Sequence, residues 1–323
     1  MRVTVLAGGY GGARFLVGLR QHLGADATIT AVVNTADDIV LHGLSISPDL
    51  DTVMYTLGDG LDAERGWGRA DEAFRVNEEL QAYGVPSTWF GLGDRDLATH
   101  LIRTQMLGAG YRLTDVTAAL ATRWQPGVTL LPMTDDRVET HVIVNDGDGR
   151  RAIHFQEWWI RHRAQLPAEQ FLQVGADTAH ATPEALAAVA ETDVVILAPS
   201  NPVVSIGAMV ALADLASAVR TSPAPVVGVS PIIGGRALRG MAEQCLAAIG
   251  VPATAAGVAG HYGSRTQGGL LDCWLVAPED EPAVAELAAH GIQAEAVPLV
   301  MSDPTAAAEL ATAALRLADR CRR

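Results

Sequence analysis

The residues most able to do chemistry are a glycine run near the start of the chain and the carboxylates that follow it. Gly8-Gly9-Tyr10-Gly11-Gly12 lies between the apolar segment 2–7 and a helix-like segment. Glycines let the backbone approach a ligand closely, and the N-terminus of the following helix favours an anion. The loop therefore predicts a phosphate site with four contact residues: Gly8, Gly9, Gly11 and Gly12.

Carboxylates cluster after the second apolar segment, 28–34. That segment ends in Asn34-Thr35-Ala36-Asp37-Asp38, and Ser47-Pro48-Asp49-Leu50-Asp51 starts another helix. A serine cap and a proline at the first helical position suit this start, so Asp49 is interpreted mainly as a complement to the helix dipole. Asp51 projects in a different direction, which favours a functional role. Glycines beside carboxylates indicate metal-assisted phosphate chemistry.

Asp94 and Arg95 stand in a second polar group, Gly91-Leu92-Gly93-Asp94-Arg95-Asp96, which opens a predicted helix. Two carboxylates around an arginine at a helix N-terminus suit a metal-phosphate unit, and they equally suit an ordinary helix cap. Both interpretations stay open from the residues alone.

Residues 199–207 form a third candidate, because they directly follow the apolar segment 193–198. Ligands of open α/β sheets bind beyond the carboxyl ends of the strands, which places this loop at the binding edge. A plain strand-to-helix turn is the alternative. Three of its side chains would bind a base, ribose or phosphate: Ser200, Asn201 and Ser205.

The composition excludes several function classes. The 323-residue chain has 23 basic residues, all of them arginine, so a P-loop lysine and Schiff-base chemistry are excluded. A net charge of −14 argues against non-specific binding to nucleic acid or an anionic membrane. No segment has the roughly 20 apolar residues of a membrane span, and no signal pattern is present, so we expect a cytoplasmic protein.

The cysteines and the tryptophans give weaker signals. Cys245, Cys273 and Cys321 lack the spacing of a metal or redox site, so neither a zinc site nor a disulfide is expected. Trp158 and Trp159 could stack on a flat ring, although tryptophans are more often core residues.

Apolar segments of strand length alternate with helix-like segments, which is typical of a doubly wound parallel sheet. We therefore predict an α/β protein with a Rossmann-like, mostly parallel sheet between two helical layers. The predicted core strands are 2–7, 28–34, 193–198, 225–230 and 272–277.

The segment 61–164 has a different pattern and is predicted to be an inserted, mainly helical subdomain that covers the site. The Rossmann-like core would then comprise 1–60 and 165–323. Within the insert we expect helices at 70–83, 96–107 and 114–124, and short strands at 128–131 and 140–144.

Taken together, these ordered motifs resemble the CofD/FbiA family, the 2-phospho-L-lactate or phosphoenolpyruvate transferases of deazaflavin coenzyme F420 biosynthesis. The resemblance spans nearly the whole chain. Besides the glycine loop and the first carboxylate groups, it rests on Leu92-Gly93-Asp94-Arg95-Asp96, Leu131-Pro132-Met133-Thr134-Asp135-Asp136, Phe155-Gln156-Glu157-Trp158-Trp159 and Pro199-Ser200-Asn201-Pro202.

The resemblance implies transfer of a phosphoenolpyruvyl or 2-phospho-L-lactyl group from a guanosine diphosphate-linked donor to the ribityl hydroxyl of the deazaflavin precursor FO. GMP would leave, and Mg²⁺ would be required. Actinobacterial members use the enolpyruvyl donor, which the alanine- and arginine-rich composition favours. A homodimer is the common arrangement for such enzymes.

Residue roles follow from the same resemblance. Asp51 would orient the acceptor hydroxyl or act as its general base. From the residues themselves, Asp37, Asp38 and Asp94 are candidates to bind the metal or to support its ligands. The donor would contact the loop glycines and a further set: Asn34, Asp94, Arg95, Ser200, Asn201 and Ser205.

Two other function classes remain open. A non-catalytic nucleotide or nucleotide-sugar sensor of the same fold would bind nucleotide at the same loop without consuming it. A nicotinamide oxidoreductase is disfavoured, because the sixth position of the dinucleotide fingerprint read from Gly9 is Arg14 and Asn34 replaces the ribose-binding acid.

Overall fold

The core of the protein is a parallel sheet whose strands are short, buried apolar segments. A computed structural model describes residues 1–147 and 149–322. The strands are β1 (Arg2–Ala7), β2 (Thr28–Val33), β3 (Ile39–Leu41), β4 (Leu44–Ile46), β5 (Thr129–Pro132), β6 (Glu139–Asn145), β7 (Arg150–His154), β8 (Ala168–Val174), β9 (Val194–Leu197), β10 (Val226–Val229), β11 (Ile232–Ile233), β12 (Arg236–Ala237), β13 (Cys273–Val276) and β14 (Gln293–Ala296).

Helices follow most of the core strands. They are α1 (Gly9–Leu23), α2 (Pro48–Leu57), α3 (Arg75–Ala82), α4 (Asp96–Gly108), α5 (Leu113–Trp124), α6 (Pro183–Glu191), α7 (Ile206–Val210), α8 (Ala213–Thr221), α9 (Ala242–Ala248), α10 (Ala255–Tyr262), α11 (Ala283–Ala289) and α12 (Pro304–Cys321). A short π-helix, Glu157–Arg161, follows β7. None of the helices that the structure describes combines the length and apolar character needed to cross a membrane.

The central sheet has seven strands in the order β14-β13-β10-β9-β1-β2-β5, and its neighbouring strands are parallel. The chain progresses outward from β1 in one direction through β2 and β5, and in the other through β9 to β14. The order thus reverses between β1 and β9, and a crevice opens at such a point in a doubly wound sheet.

Side chains of alternate residues pack on opposite faces of the sheet, as strand geometry requires. Val3 and Val5 belong to a core shared with α1, α2, α5 and α12. Leu6 and Leu197 belong to the opposite core, shared with α6, α8 and the antiparallel sheet β7-β6-β8. These two helical layers confirm the predicted Rossmann-like α/β class.

The range predicted as an inserted subdomain contributes to more than one layer. Strand β5 lies within 61–164 but pairs in parallel with β2, and the sheet β7-β6-β8 continues past residue 164. Helix α3 begins at Arg75 and not near residue 70, because Asp71 has a left-handed backbone with φ of 52°. The boundaries at 60 and 164 stay predictions.

Cys273 and Cys321 form a disulfide between β13 and the last residue of α12, with Cα atoms 6.8 Å apart. The expectation of unpaired cysteines is therefore wrong for this pair. The two residues are 48 positions apart in sequence, and only the packing of α12 against the sheet brings them together. Cys245 is free and buried.

Gly18 is required for the close crossing of α1 and α12. A Cβ at Gly18 would lie 2.1 Å from the carbonyl carbon of Ala307, whereas one at Gly260 in α10 would meet nothing within 4 Å. We expect Gly18→Ala to lower the free energy of unfolding by about 1–3 kcal/mol. The matched change Gly260→Ala should raise it by about 0.5–1 kcal/mol, because alanine is the better helix former.

Urea unfolding followed by circular dichroism measures both differences. Equal stabilisation by the two substitutions would contradict the proposed crossing.

Candidate functional site

A cavity of about 840 Å³ lies beyond the carboxyl ends of the central strands. Its walls come from the loops after β1, β9 and β10, together with the start of α2. Further walls come from residues 65–68, 155–160 and 299–302, so distant parts of the sequence enclose one space. The cavity lies at the reversal point of the sheet, where a doubly wound fold binds its ligands.

The glycine loop forms the floor of the cavity, as predicted from its position after β1. Gly8, Gly9 and Gly11 line it, and Gly9 has a left-handed backbone with φ of 58°. A Cβ at Gly11 would lie 2.4 Å from the carbonyl oxygen of Pro199, so only glycine permits the loops after β1 and β9 to meet. Gly12 packs behind the loop, against Ala7.

The loop after β9 is bonded directly to the glycine loop. The Ser200 hydroxyl accepts a hydrogen bond from the Gly8 N–H at 3.0 Å and donates to the Gly8 carbonyl at 2.8 Å. Asn201 accepts from the N–H groups of Val203 and Val204, which shapes the turn into α7. The three predicted side chains all line the cavity: Ser200, Asn201 and Ser205.

Buried carboxylates form the wall opposite the glycines. Asp37 and Asp49 are both buried and line the cavity. Asn34 does not line it; its amide donates to Asp49 Oδ2 at 2.9 Å and so holds that carboxylate in place. Asp38 lies beside them, where its Oδ2 accepts from the Ser47 hydroxyl at 2.6 Å. Asp49 is therefore more than a complement to the dipole of α2.

Burial in a shared negative environment raises the pKa of these acids. Burial, with the charges of Asp49 and Asp38, raises the pKa of Asp37 well above its usual range. Burial likewise raises the pKa of Asp38, against the lowering effect of the Ser47 hydrogen bond. The pKa of Asp49 is raised by burial to about 6, although hydrogen bonds from Asn34 and Gly9 lower it. When all three carboxyl groups are ionised, their negative charges need a cation nearby.

Asp51 takes part in a separate buried network with residues of α4. Arg103 donates to Asp51 Oδ1, and His100 Nδ1 lies 3.7 Å from Asp51 Oδ2. His100 Nε2 in turn lies 3.5 Å from Asp96 Oδ2. The Tyr55 hydroxyl donates to the other oxygen of Asp96. Asp51, Asp96 and His100 all line the cavity.

The charges in this network partly compensate each other. Burial raises the pKa of Asp51, although Arg103 and His100 act in the opposite direction. Burial would also raise the pKa of Asp96, but the hydrogen bond and charge of His100 lower it overall. Burial lowers the pKa of Arg103, yet the neighbouring Asp51 raises it overall, so the guanidinium stays charged. Asp51 is thus a carboxylate more basic than an exposed aspartate.

One group of described side chains has the spacing of a metal site. Asp51, Asp96 and His100 offer ligand atoms within 4.8 Å of one another. Among the described residues, the buried oxygens Asp37 Oδ1, Asp38 Oδ1 and Asp51 Oδ2 have no hydrogen-bond partner. Buried polar atoms are normally paired, so these orphaned oxygens favour a bound cation.

Asp94 and Arg95 lie outside the residues that line the cavity. Asp94 Oδ1 accepts from the Val76 N–H at 3.1 Å, in the first turn of α3, so this carboxylate caps a helix other than α4, the one that its own motif opens. The Arg95 guanidinium is exposed and lies 4.0 Å from Asp71. The structure therefore does not bring this pair together with the glycine loop.

The tryptophan pair is divided between core and cavity. Trp158 is fully buried, and its Nε1–H donates to the Leu166 carbonyl at 2.8 Å. Trp159 is 38 % exposed, lines the cavity and lies 5.5 Å, ring to ring, from Phe155. Trp67 and Phe90 also line the cavity. This aromatic wall suits a flat ring.

Sequence reasoning missed His100, Arg103 and the arginines of the cavity. His100 and Arg103 stand four and seven residues after Asp96, a spacing that places all three on one face of a helix, and this was the available signal. Arg14, Arg65 and Arg239 line the cavity. They bring positive charge to the cavity, but no local pattern marks them.

Comparison with known proteins gives a match along nearly the whole chain. The model of the family "2-phospho-L-lactate transferase CofD" matches residues 3–316. A protein of Kitasatospora aureofaciens named phosphoenolpyruvate transferase is 57% identical over 322 residues, which cover 100% of this chain and 99% of that protein. A protein of Mycobacterium avium with the same name is 54% identical over 338 residues, with 98% and 99% coverage.

A solved structure of protein BH3568 from Bacillus halodurans, a member of the UPF0052 family, has the same fold. Its TM-score is 0.61 at 17% sequence identity, and the match covers 97% of this chain and 99% of that one. At this identity the likeness concerns the fold alone.

The burial of Asp49 makes stability depend on pH. Its folded pKa of about 6 lies above the ordinary 3.8, so the folded state binds more protons between these values and loses stability as pH rises. Asp49→Asn cannot ionise. We therefore expect the free energy of unfolding of Asp49→Asn, relative to that of the wild type, to increase between pH 4 and pH 7 by about 3 kcal/mol in total.

Urea unfolding at several pH values, with EDTA to remove cations, measures this difference. Asp26→Asn, an exposed change beyond the far end of α1, is the control and should show no such trend. A constant difference between Asp49→Asn and wild type across the range would contradict the effect of burial.

Proposed function

Because the chain belongs to the family of the 2-phospho-L-lactate transferase CofD, we propose that it transfers a phosphoenolpyruvyl group in F420 biosynthesis. The donor would be a guanosine diphosphate-linked enolpyruvate and the acceptor the ribityl hydroxyl of FO. The names of the relatives from Mycobacterium avium and Kitasatospora aureofaciens support enolpyruvate over lactate. The observation that carries the proposal is one cavity in which a glycine loop faces buried carboxylates.

The donor diphosphate would lie against the glycine loop and the N-terminus of α1. Backbone N–H groups and the helix dipole favour a phosphate there. Arg14 supplies positive charge nearby: its Nη2 donates to the Met301 carbonyl at 2.9 Å, and its buried Nε has no partner among the described residues. Ser205 lies across the loop from Gly8. Arginine and backbone groups thus replace the missing lysine.

Asp51 would accept the proton of the acceptor hydroxyl. As that proton leaves, the hydroxyl oxygen would form a bond to the phosphorus that bears the enolpyruvyl group. The bond from this phosphorus to the bridging oxygen would break, and GMP would leave with that oxygen. Arg103 donates to Asp51 Oδ1 and holds the carboxylate in one orientation, which supports a role as general base.

A Mg²⁺ ion would be held by Asp37, Asp38 and Asp49. This choice is supported by the preference of Mg²⁺ for oxygen ligands and by the buried Oδ1 atoms of Asp37 and Asp38, which have no partner in the described part of the chain. Among the described residues, three ligand atoms lie within 4.8 Å of one another only in the group of Asp51, Asp96 and His100. When bound, the ion would neutralise charge on the donor phosphates. The Asp51, Asp96 and His100 group suits Mg²⁺ less, since Arg103 already neutralises Asp51 and one ligand is nitrogen.

A homodimer is part of the same proposal. Helix α4 buries a polar face, with Thr99, His100 and Arg103, and leaves Leu101 and Ile102 about half exposed. A second copy of the chain that covered these apolar side chains would remove them from water.

The proposal is tested with purified protein, FO, Mg²⁺ and each synthetic guanosine donor in turn, followed by mass spectrometry. We expect the enolpyruvyl donor to give the phosphoenolpyruvyl-FO product and GMP in equal amounts. Product from the lactyl donor alone would overturn the choice of donor. Guanine nucleotide binding with no product from either donor would instead favour a non-catalytic sensor.

Asp51→Asn tests the role of the base in that assay. We expect turnover to fall by about 10²–10⁴-fold, because the amide cannot accept the proton. The exposed change Asp26→Asn should retain wild-type turnover. Full turnover by a correctly folded Asp51→Asn protein would exclude the general-base role.

Asp37→Asn tests the proposed metal site without a transfer assay. The substitution removes one negative ligand, so we expect the Kd for Mn²⁺, followed by its electron paramagnetic resonance signal, to rise at least tenfold. His100→Gln should leave the Kd within about twofold if the ion binds at Asp37. The reverse pattern would place the ion at the Asp51, Asp96 and His100 group.

A further inference from the structure

His154 connects two walls of the cavity, and no step of the proposed reaction uses it. It is the last residue of β7 and is half-buried. Its Nε2 lies 3.1 Å from the carbonyl oxygen of Asp38. Its Nδ1 lies 3.1 Å from the backbone N–H of Gln156.

The two contacts define the tautomer of His154. The Gln156 N–H can only donate, so Nδ1 must accept and the ring proton must be on Nε2. That proton is then donated to the carbonyl oxygen of Asp38. The ring therefore acts as a neutral spacer with one acceptor and one donor, each already used.

The two segments that the ring contacts both contribute to the walls of the cavity. Asp38 belongs to the turn after β2, in which its N–H donates to the Thr35 carbonyl at 3.2 Å and its Oδ2 accepts from Ser47. Gln156 lines the cavity and leads into the π-helix that carries Trp159. π-Helical turns are often found at functional sites.

We propose that His154 is a positioning residue that fixes the Asp37-Asp38 turn against the wall that carries Trp159. The effect of His154 on catalysis rests on the proposed function, whereas its two hydrogen bonds do not. Removal of the Nε2–H contact would free the turn that carries the proposed metal ligands. Removal of the Nδ1 contact would instead free the aromatic wall.

His141 provides a matched control. It is the direct cross-strand partner of His154, with ring centroids 5.7 Å apart. Its Nε2 pairs with Glu139 Oε2 at 3.0 Å and not with the turn after β2. His141→Gln therefore changes a histidine on the same pair of strands, including its ring contact with His154, but removes neither hydrogen bond of His154.

Two substitutions separate the contacts of His154. His154→Gln places an amide N–H near the Nε2 position and keeps the donor to Asp38, but loses the acceptor for Gln156. His154→Asn places an amide oxygen near the Nδ1 position and keeps the acceptor, but loses the donor. A residue important only for general stability would not distinguish the two changes.

Hydrogen–deuterium exchange measured by mass spectrometry shows how well the backbone amides of each segment are protected. In His154→Asn we expect exchange in residues 34–41 to accelerate about fivefold, the factor for one lost hydrogen bond of about 1 kcal/mol. Exchange in residues 155–161 should stay near wild type. His154→Gln should show the opposite pattern, and His141→Gln should change neither segment.

Parallel effects of the two His154 substitutions on both segments, or no effect of either, would overturn the inference. A second readout is the Kd for Mn²⁺, which we expect to rise about fivefold in His154→Asn and to stay near wild type in His154→Gln. Hydrogen–deuterium exchange is measured without the guanosine donor and without FO. A failed transfer assay would therefore not decide this test.

Discussion

The burial of several carboxylates at one end of the sheet is the constraint on which the site depends. Asp37, Asp49 and Asp51 are removed from water by the elements that carry them, and an ionised group in such a place needs a partner. The fold supplies Asn34 for Asp49 and the Arg103 guanidinium for Asp51. Asp37 Oδ1 has no hydrogen-bond partner among the described residues, and burial, with the charges of Asp49 and Asp38, raises the pKa of this carboxyl. A cation with phosphate ligands would satisfy the same atoms.

The topology of the sheet explains why these groups meet a glycine loop. Parallel strands present their carboxyl ends at one edge, so the residues after β1, β2 and β9 converge although they lie far apart in sequence. The contact between Gly11 and the Pro199 carbonyl leaves no room for a side chain, and Ser200 then bonds to Gly8. The close approach of the loops after β1 and β9 therefore depends on these small residues.

Local patterns were sufficient for the class of fold, because strand length and strand–helix alternation are local properties. They were also sufficient for the glycine loop and for Asp37 and Asp51 as cavity residues, whereas Asp49 is interpreted from its sequence mainly as a complement to the helix dipole. They were not sufficient for Asp94, whose motif suits a metal ligand or a cap equally well, and the contact with Val76 is a cap. The pairing of β5 with β2 and of Cys273 with Cys321 was missed, since both join residues remote in sequence.

The sequence by itself determined the chemistry that is available: glycines for close approach, carboxylates for a cation or a proton, and arginine as the basic side chain in place of lysine. The tertiary structure decided which of these groups act together. Whether a carboxylate caps a helix, pairs with Arg103 or faces an open cavity depends on its distance to groups from other elements and on the water it has lost. Electrostatic energy depends on both quantities, and neither is a property of a residue and its neighbours in sequence.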